Sequence, residues 1–275
     1  NKLWNIGRFV LTNRQIPNSK FQIPSLPDRW ILSRLNILIS EVTDDLEKFR
    51  FSEAGEKLRN FTWNDFADWY LEINKIELNE SVIRNSLFVI LKLWHPFMPY
   101  VTEELWKTAG MKDLLIIAEW PAVAGGKKLI DKKAERDFEI LRETIVKMRN
   151  MRVAHHVPPS ETVEFQLTSE NIKLLEDNIG ILKKLTRSEV LPRKGIGMSI
   201  IISMSFHGES LEIEKSRLQS EKDNLEKYLA GLKSKLANQD FVARAPKAVV
   251  DGEKKKLAEA EEKLKKINEQ IKAGL

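Results

Sequence analysis

Four histidines are the side chains in this sequence most able to bind a metal or transfer protons. His155 and His156 are adjacent, so they point apart on a helix or a strand. Neither His95 nor His207 supplies a third ligand at a spacing typical of zinc sites. His95 also precedes a proline at a predicted helix break, which favours a structural role. The sequence therefore predicts no metal site.

Acidic pairs and glycine-containing loops give no catalytic or nucleotide-binding signature either. Pairs such as Asp44-Asp45 lie among other charged residues of amphipathic helices, where exposure to solvent explains them. The tripeptide at 195–197, GIG, lacks the third glycine of a dinucleotide fingerprint. Gly126-Lys127 lacks the glycine spacing and the following Ser or Thr of a phosphate-binding loop. These patterns predict a chain that binds a partner, with no catalytic residue and no cofactor of its own.

Basic residues offer a second kind of chemistry, the binding of phosphate groups. A helix predicted over 132–152 places three arginines on one face, because they follow at spacings of seven and three. From Leu211 onward the chain has fifteen Lys and Arg against twelve Asp and Glu. Charged helices are most often solvated, salt-bridged surfaces, but such charges also suit a nucleic-acid backbone. The three arginines are Arg142, Arg149 and Arg152, and the densest lysine cluster is Lys254, Lys255 and Lys256.

Two heptad repeats joined by a short loop position the last of these basic stretches. Apolar residues recur every seven residues on both sides of the loop, with charges elsewhere, which is typical of a coiled coil. Pro246 fits the first turn of the second helix, and the short loop folds the two helices back along each other. Limbs of about 26 residues predict an arm roughly 40 Å long. The repeated residues are Leu211, Leu218, Leu225 and Leu232, then Val250, Leu257, Leu264 and Ile271.

Large aromatic residues mark a separate domain at the start of the chain. All seven tryptophans lie at or before Trp120. Apolar residues at helical spacing follow Pro27-Asp28, where Asp28 is predicted to be an N-cap or an acidic first-turn residue. Further helical patterns follow Ser52 and extend from about Glu80 to Trp94. Helices of this length with short links predict an antiparallel helical bundle over residues 1–120.

The middle of the chain, residues 121–208, has the pattern of a small α/β module. Thr162–Thr168 alternates apolar and polar side chains, and Ser199–Phe206 is enriched in β-branched residues. The apolar run Leu114–Trp120 predicts one more β segment. The predicted fold class is therefore mainly α: an antiparallel helical bundle, a small α/β module, and a C-terminal antiparallel coiled-coil hairpin over residues 209–275.

Composition limits the partners and the compartment. The 275 residues carry a net charge of +5, which permits nucleic-acid binding without requiring it. Cysteine is absent, so disulfides and thiolate zinc sites are excluded, and a cytoplasmic location is expected. No apolar run of roughly 18 residues occurs, so no membrane partner is predicted. Because the chain starts with Asn1 and not with methionine, we expect it to be a fragment.

Several motifs resemble valyl-tRNA synthetases, which are class I aminoacyl-tRNA synthetases. The first helix of that family's anticodon-binding bundle is similar to residues 1–10, NKLWNIGRFV, and the next helix to residues 26–35, LPDRWILSRL. The enzymes for valine, isoleucine and leucine share segments similar to residues 63–72, WNDFADWYLE, and 95–106, HPFMPYVTEELW. The order of these motifs is highly specific, and the resemblance spans essentially the whole chain.

Two further features of the resemblance favour the enzyme for valine. One is MRNMR at 148–152 leading to VPPS at 157–160, and the other is the terminal arm. The family's two ATP-binding motifs, His-Ile-Gly-His and Lys-Met-Ser-Lys-Ser, do not occur. The resemblance therefore implies the carboxy-terminal part only, without the catalytic domain that uses ATP and Mg²⁺ and without the editing domain. Alone, such a part should not attach valine to tRNA.

The resemblance implies that the bundle reads the anticodon of tRNA(Val) and that the arm contacts the outer corner of the same tRNA. Unstacked bases are read by stacking and base-edge hydrogen bonds, and the tRNA corner offers phosphates. A monomer is expected. The implied anticodon contacts are Trp4, Asn5, Arg8 and Phe9, although Trp4 and Phe9 could both face the core. The implied backbone contacts are Arg142, Arg149, Arg152, Arg217, Lys222, Lys254, Lys255 and Lys256.

Two other functional classes stay open on the sequence. The arm could be a coiled-coil scaffold for protein–protein interaction with no tRNA role. Exposed apolar residues outside both heptad rows would favour a scaffold, and Tyr228 and Phe241 are among the few. The chain could also be an enzyme with an unrecognised site, which a pocket of converging carboxylates or histidines would favour.

Overall fold

The structure, a computed structural model, divides the chain into two units. It describes residues 1–12, 24–122, 130–169, 172–195, 201–205, 209–238, 243 and 246–272. The first unit contains Asn1–Val146 and Lys173–Leu185, and the second contains Lys147–Ile172 and Thr186–Leu275. The predicted domain boundaries after residues 120 and 208 stay predictions.

Helices build the first unit, as the bundle prediction expects. They are α1 (Lys2–Thr12), α2 (Leu26–Glu47), α3 (Phe51–Asn60), a π-helical segment (Phe61–Tyr70), α4 (Leu71–Asn74), α5 (Glu80–Trp94), α6 (Pro99–Thr108) and α7 (Lys132–Ala154). Two later helices, α8 (Ile172–Asp177) and α9 (Ile179–Thr186), contribute most of their residues to this unit. The last residues of α7 belong to the second unit.

A buried carboxylate fixes the start of α2. The Oδ2 atom of Asp28 accepts a hydrogen bond from the backbone amide of Ser25 at 3.0 Å, so Asp28 is the acidic first-turn residue and not the N-cap. Asp28 also accepts hydrogen bonds from the Tyr70 hydroxyl at 2.6 Å and the Asn79 amide at 2.8 Å. One side chain therefore joins the start of α2 to the end of the π segment and the start of α5.

The π-helical segment changes the spacing of the core residues. Phe61 and Phe66 are both buried five residues apart, a step that is wider than an α-helix accommodates on one face. The core of the unit also contains Phe138 of α7, which stacks on Trp30 of α2 with ring centroids 3.8 Å apart. Its edge meets Trp69 of the π segment at 6.4 Å. These aromatic contacts hold the first part of α7 against α2 and the π segment.

The run Leu114–Trp120 is not a β segment, which corrects the prediction. Only Leu115–Ile117 is regular, as one 3₁₀ turn. The Leu115 amide donates to both carboxylate oxygens of Glu103, at 3.2 and 3.1 Å, and the Trp106 indole donates to the Asp113 carbonyl at 3.0 Å. The Leu115 amide is thus paired with a side chain, and the amides of Ile117 and Ala118 are paired within the turn, all without a strand partner.

A small mixed sheet lies in the second unit. Its strands are β1 (Val163–Ser169), β2 (Ser188–Lys194) and β3 (Ile201–Ser205), in the order β2-β1-β3. The central strand β1 is parallel to β2 and antiparallel to β3. Alternate residues of β1 are buried, as the alternation of apolar residues predicts. The predicted α/β character of this region is confirmed.

Two long antiparallel helices form the rest of the second unit. We call α10 (Glu209–Ala237) and α11 (Lys247–Lys272) the arm. Ion pairs that cross between them show the antiparallel direction: Lys233–Glu261 at 2.8 Å and Lys263–Glu221 at 3.0 Å. The buried apolar residues between them are Leu218, Leu229, Leu232, Val250, Ala260 and Ile267. The predicted hairpin and the mainly α fold class are confirmed.

The side chain of Leu211 and the residues His207 and Phe241 lie outside the described part of the chain. Within the described part, no helix combines the length and apolar character needed to cross a membrane.

Candidate nucleic-acid interface

Helix α1 buries one face and presents the predicted anticodon contacts on the other. Asn5 and Arg8 are exposed, whereas Trp4 and Phe9 are half-buried. The two aromatic residues therefore border the exposed face and are not wholly part of the core. The buried residues recur at intervals of three and four: Leu3, Ile6 and Val10. The fold brings all four predicted side chains onto one surface.

A cation lies beside the Phe9 ring. The Lys75 ammonium, just after α4, is 5.4 Å from the ring centroid, within the range of a cation–π contact. At the other end of α1, Lys2 forms an ion pair with Asp68 of the π segment at 3.0 Å. An aromatic face next to a positive charge suits an unstacked base and its phosphate, although Lys75 is also paired with Glu72 at 2.6 Å. The sequence alone did not single out Lys75, because it lies far from α1 along the chain.

Gly7 sets how closely α1 approaches α6. A Cβ atom at Gly7 would lie 2.5 Å from Cδ2 and 3.0 Å from Cγ of Leu105. Leu105 is fully buried, so it has little room to move away. The absence of a side chain at Gly7 therefore places the face of α1 that carries Asn5 and Arg8.

Arg142 of α7 is held by two carboxylates of the first unit. Its guanidinium lies 2.5 Å from Glu139 and 3.8 Å from Asp65. Burial raises the pKa of the Asp65 carboxyl, although Arg34 and Arg142 act in the opposite direction. Arg149, further along α7, is an exposed residue of the second unit. Both arginines stay candidates for phosphate contacts.

Arg152 is not available to bind tRNA, which corrects the prediction. The residue is only 8% exposed, and its guanidinium donates to three backbone carbonyls: Arg187 at 3.0 Å, Pro158 at 2.8 Å and Glu161 at 2.6 Å. Burial lowers the pKa of Arg152, and the positive charge of Arg187 acts in the same direction. The side chain ties the turn at 158–161 to the start of β2, so its role is structural.

The three lysines at 254–256 differ in whether a nearby carboxylate pairs with them. Lys254 is exposed and has no ion pair within the described part of the arm. The Lys255 side chain is 80% exposed, and its nitrogen is 3.9 Å from Glu259. Lys256 lies 3.1 Å from Glu253 and, by this hydrogen bond, holds the pKa of the Glu253 carboxyl below its ordinary value. Lys254 and Lys255 are therefore the available charges, whereas the charge of Lys256 is paired within α11.

Two basic residues of α10 also have carboxylate neighbours. Arg217 lies 3.0 Å from Glu221, and Lys222 lies 3.9 Å from Glu226. Glu221 also accepts a hydrogen bond from Lys263, which contributes most to lowering the pKa of that carboxyl. Part of the charge of Arg217 is thus offset within the arm. Both residues stay predicted contacts of the tRNA backbone.

No group of three or more His, Asp or Glu side chains in the described part of the chain could hold a metal ion.

Two family comparisons match this chain, and α1 lies outside both matched ranges. Residues 28–167 match the family described as the anticodon-binding domain of tRNA ligase. Residues 210–273, nearly the whole arm, match the family described as the valyl tRNA synthetase tRNA binding arm. The chain belongs to the anticodon-binding domain family of tRNA ligases. The resemblance to valyl-tRNA synthetases is thereby confirmed.

Curated relatives of this family member are valine–tRNA ligases. The one from Thermotoga maritima is 33% identical over 289 residues, which cover 97% of this chain and 33% of the relative. Those from Petrotoga mobilis and Pseudothermotoga lettingae are 32% and 34% identical, over 99% and 98% of this chain and 34% and 33% of the relatives. The chain thus spans about a third of the length of the curated relatives it matches.

Solved structures give a weaker match. The ternary complex of Agrobacterium radiobacter K84 agnB2 LeuRS with tRNA and LeuAMS is 25% identical, with a TM-score of 0.37 over 47% of this chain and 16% of that chain. A similarity this low supports no conclusion.

Proposed function

We propose that this chain is the tRNA-binding portion of a valyl-tRNA synthetase, with tRNA(Val) as its partner. In this proposal the first unit reads the anticodon and the arm contacts the outer corner of the tRNA. One observation carries it: one family match covers most of the first unit, and the other covers nearly the whole arm. The exposed lysines of α11 lie inside the arm match, whereas the exposed face of α1 precedes residue 28 and belongs to the same unit as most of the first match.

Each group has a distinct role in the proposal. Phe9 stacks on an unpaired anticodon base, Asn5 reads a base edge, and Arg8 stacks or contacts a phosphate. Lys254 and Lys255 contact phosphates and carry no sequence information. ATP and Mg²⁺ would act in a catalytic domain outside this chain, because neither ATP-binding motif of the family occurs in the sequence.

The arm provides the first test. Lys254→Ala with Lys255→Ala should weaken binding of tRNA(Val) and of an unrelated tRNA by the same factor, because phosphates are common to both. The dependence of the logarithm of the binding constant on the logarithm of the salt concentration should flatten by at most about one unit per lost contact. Filter binding over a salt series measures both quantities.

The matched control is Lys107→Ala with Lys112→Ala, which removes the same charge from exposed positions of the first unit. This control should leave the affinity and the salt dependence near those of the wild type. If the arm variant weakens binding no more than the control, the arm is not a tRNA contact. If the wild-type chain binds neither tRNA, the proposed function itself is wrong.

A further inference from the structure

A cleft on the first unit brings together arginines from α2 and α7. It has a volume of about 410 Å³ and is lined by Arg34, Arg136 and Arg142 together with Asp65 of the π segment. We call it the Arg34 cleft. The sequence motifs gave no role to Arg34 or Arg136. All four residues belong to one unit, so the geometry of the cleft is set by helix packing within that unit.

Asp65 holds the Arg34 guanidinium through only one of its three nitrogens, Nε. The Asp65 side chain is only 13% exposed, and its Oδ2 atom accepts from Nε of Arg34 at 3.3 Å. The two Nη groups of Arg34 have no hydrogen-bond partner among the described residues, and the side chain is 42% exposed. A guanidinium anchored through Nε and open at both Nη groups is suited to bind an anion.

The carboxylates of the cleft already have cationic partners. Glu135 is 3.0 Å from Lys132, and Glu139 is 2.5 Å from Arg142. Asp65 is paired with Arg34 as described above. Arg136, by contrast, is exposed and has no ion pair within the described residues. The cleft therefore has an excess positive charge and unused guanidinium donors.

We propose that the Arg34 cleft binds one phosphodiester group of the tRNA backbone, with Arg34 and Arg136 donating to its two non-bridging oxygens. The inference rests on the proposed function. Two arginine forks from different helices would fix the position of the RNA on the first unit without reading its sequence. The family match and the chain's net charge of +5 favour RNA over an acidic protein as the source of the anion.

Two single variants separate charge from geometry. Arg136→Gln removes a charge, so it should weaken binding of tRNA(Val) about tenfold at low salt and flatten the salt dependence by up to roughly 0.9 units. Arg34→Lys keeps the charge and can still pair with Asp65, but it lacks the fork. It should also weaken binding, with an unchanged salt dependence. Filter binding with the whole chain and a tRNA(Val) transcript measures both.

The control is Arg59→Gln, which removes one guanidinium from an exposed position of α3 that does not line the cleft. It should have a much smaller effect than Arg136→Gln. Both replacements are at exposed positions, so both proteins should keep the wild-type melting temperature. With the melting temperature unchanged, weaker binding by Arg136→Gln reflects a lost contact and not a loss of folding.

The double variant tests whether both arginines bind the same phosphate. If they do, Arg34→Lys combined with Arg136→Gln should cost less than the product of the two single effects, because the second change acts on a contact already lost. If the two single losses of affinity multiply in the double variant, the two arginines do not bind the same phosphate. If the wild-type chain binds tRNA but Arg136→Gln loses no more affinity than Arg59→Gln, the cleft proposal is wrong and the proposed function stands. Absence of wild-type tRNA binding would overturn the proposed function together with the cleft proposal.

Discussion

Arg152→Met should lower the free energy of unfolding of the second unit by about 3 kcal/mol. The substitution removes the Arg152 donor from the backbone carbonyls of Pro158, Glu161 and Arg187, although the Pro158 carbonyl keeps the Glu161 amide as a second donor. A buried polar group that loses its partner costs about 1–3 kcal/mol, and these hydrogen bonds are only partly buried, so the three losses together amount to about 3 kcal/mol. The methionine side chain fills much of the same volume, so the loss reports the hydrogen bonds more than a cavity.

Arg149→Met is the matched control, because Arg149 lies on the same helix but is exposed. Its effect on unfolding should be much smaller, while its effect on tRNA binding should be the larger of the two once both proteins are folded. Urea unfolding followed by hydrogen exchange of the β1 amides measures the stability of this unit. Equal stability losses in the two variants would contradict the structural role of Arg152.

Gly7→Ala should lower the free energy of unfolding of the first unit by about 1–3 kcal/mol, the range seen when a packed core receives an extra methyl group. The new Cβ atom would overlap Leu105, and α1 would have to shift to relieve the contact. The shift would move Asn5, Arg8 and Phe9, so anticodon discrimination should fall with stability. Tryptophan fluorescence follows the first unit selectively, since all seven tryptophans lie in it.

Gly231→Ala is the control for Gly7→Ala, because it makes the same change in a helix at a position without close neighbours. Nothing lies within 4 Å of a Cβ atom built at Gly231 in α10. The substitution should therefore stabilise the arm by up to about 1 kcal/mol, because alanine favours a helix over glycine. Far-UV circular dichroism during urea unfolding measures this change. If Gly7→Ala also stabilises, the close packing of α1 on α6 is wrong.

Local periodicity predicted the parts of the fold that depend on one face of one element. The heptads predicted the arm, and the alternation in Thr162–Thr168 predicted β1, because both patterns reflect burial on a single side. The exposed Asn5 and Arg8 follow from the same logic in α1. The five-residue step from Phe61 to Phe66 is a sequence signal of the π segment that the helical interpretation passed over.

Features that depend on long-range contacts could not be predicted. Arg142, Arg149 and Arg152 share spacing and residue type, but only the fold shows that backbone carbonyls from 158, 161 and 187 surround Arg152. Leu114–Trp120 has the composition of a strand, yet it contains one 3₁₀ turn whose first amide donates to the distant Glu103. Arg34 and Asp65 lie 31 residues apart, so their pairing has no local signal.

The most direct test of the anticodon assignment compares tRNA(Val) with the same tRNA carrying a substituted middle anticodon base. Arg8→Ala and Phe9→Ala should each weaken binding to tRNA(Val), by about 1–3 kcal/mol where a stacked base is lost. The loss should shrink with the substituted tRNA, so discrimination falls. Lys254→Ala with Lys255→Ala should weaken both complexes equally. If the lysine variant changes the discrimination ratio while the Arg8 and Phe9 variants leave it unchanged, the assignment of anticodon reading to α1 is wrong.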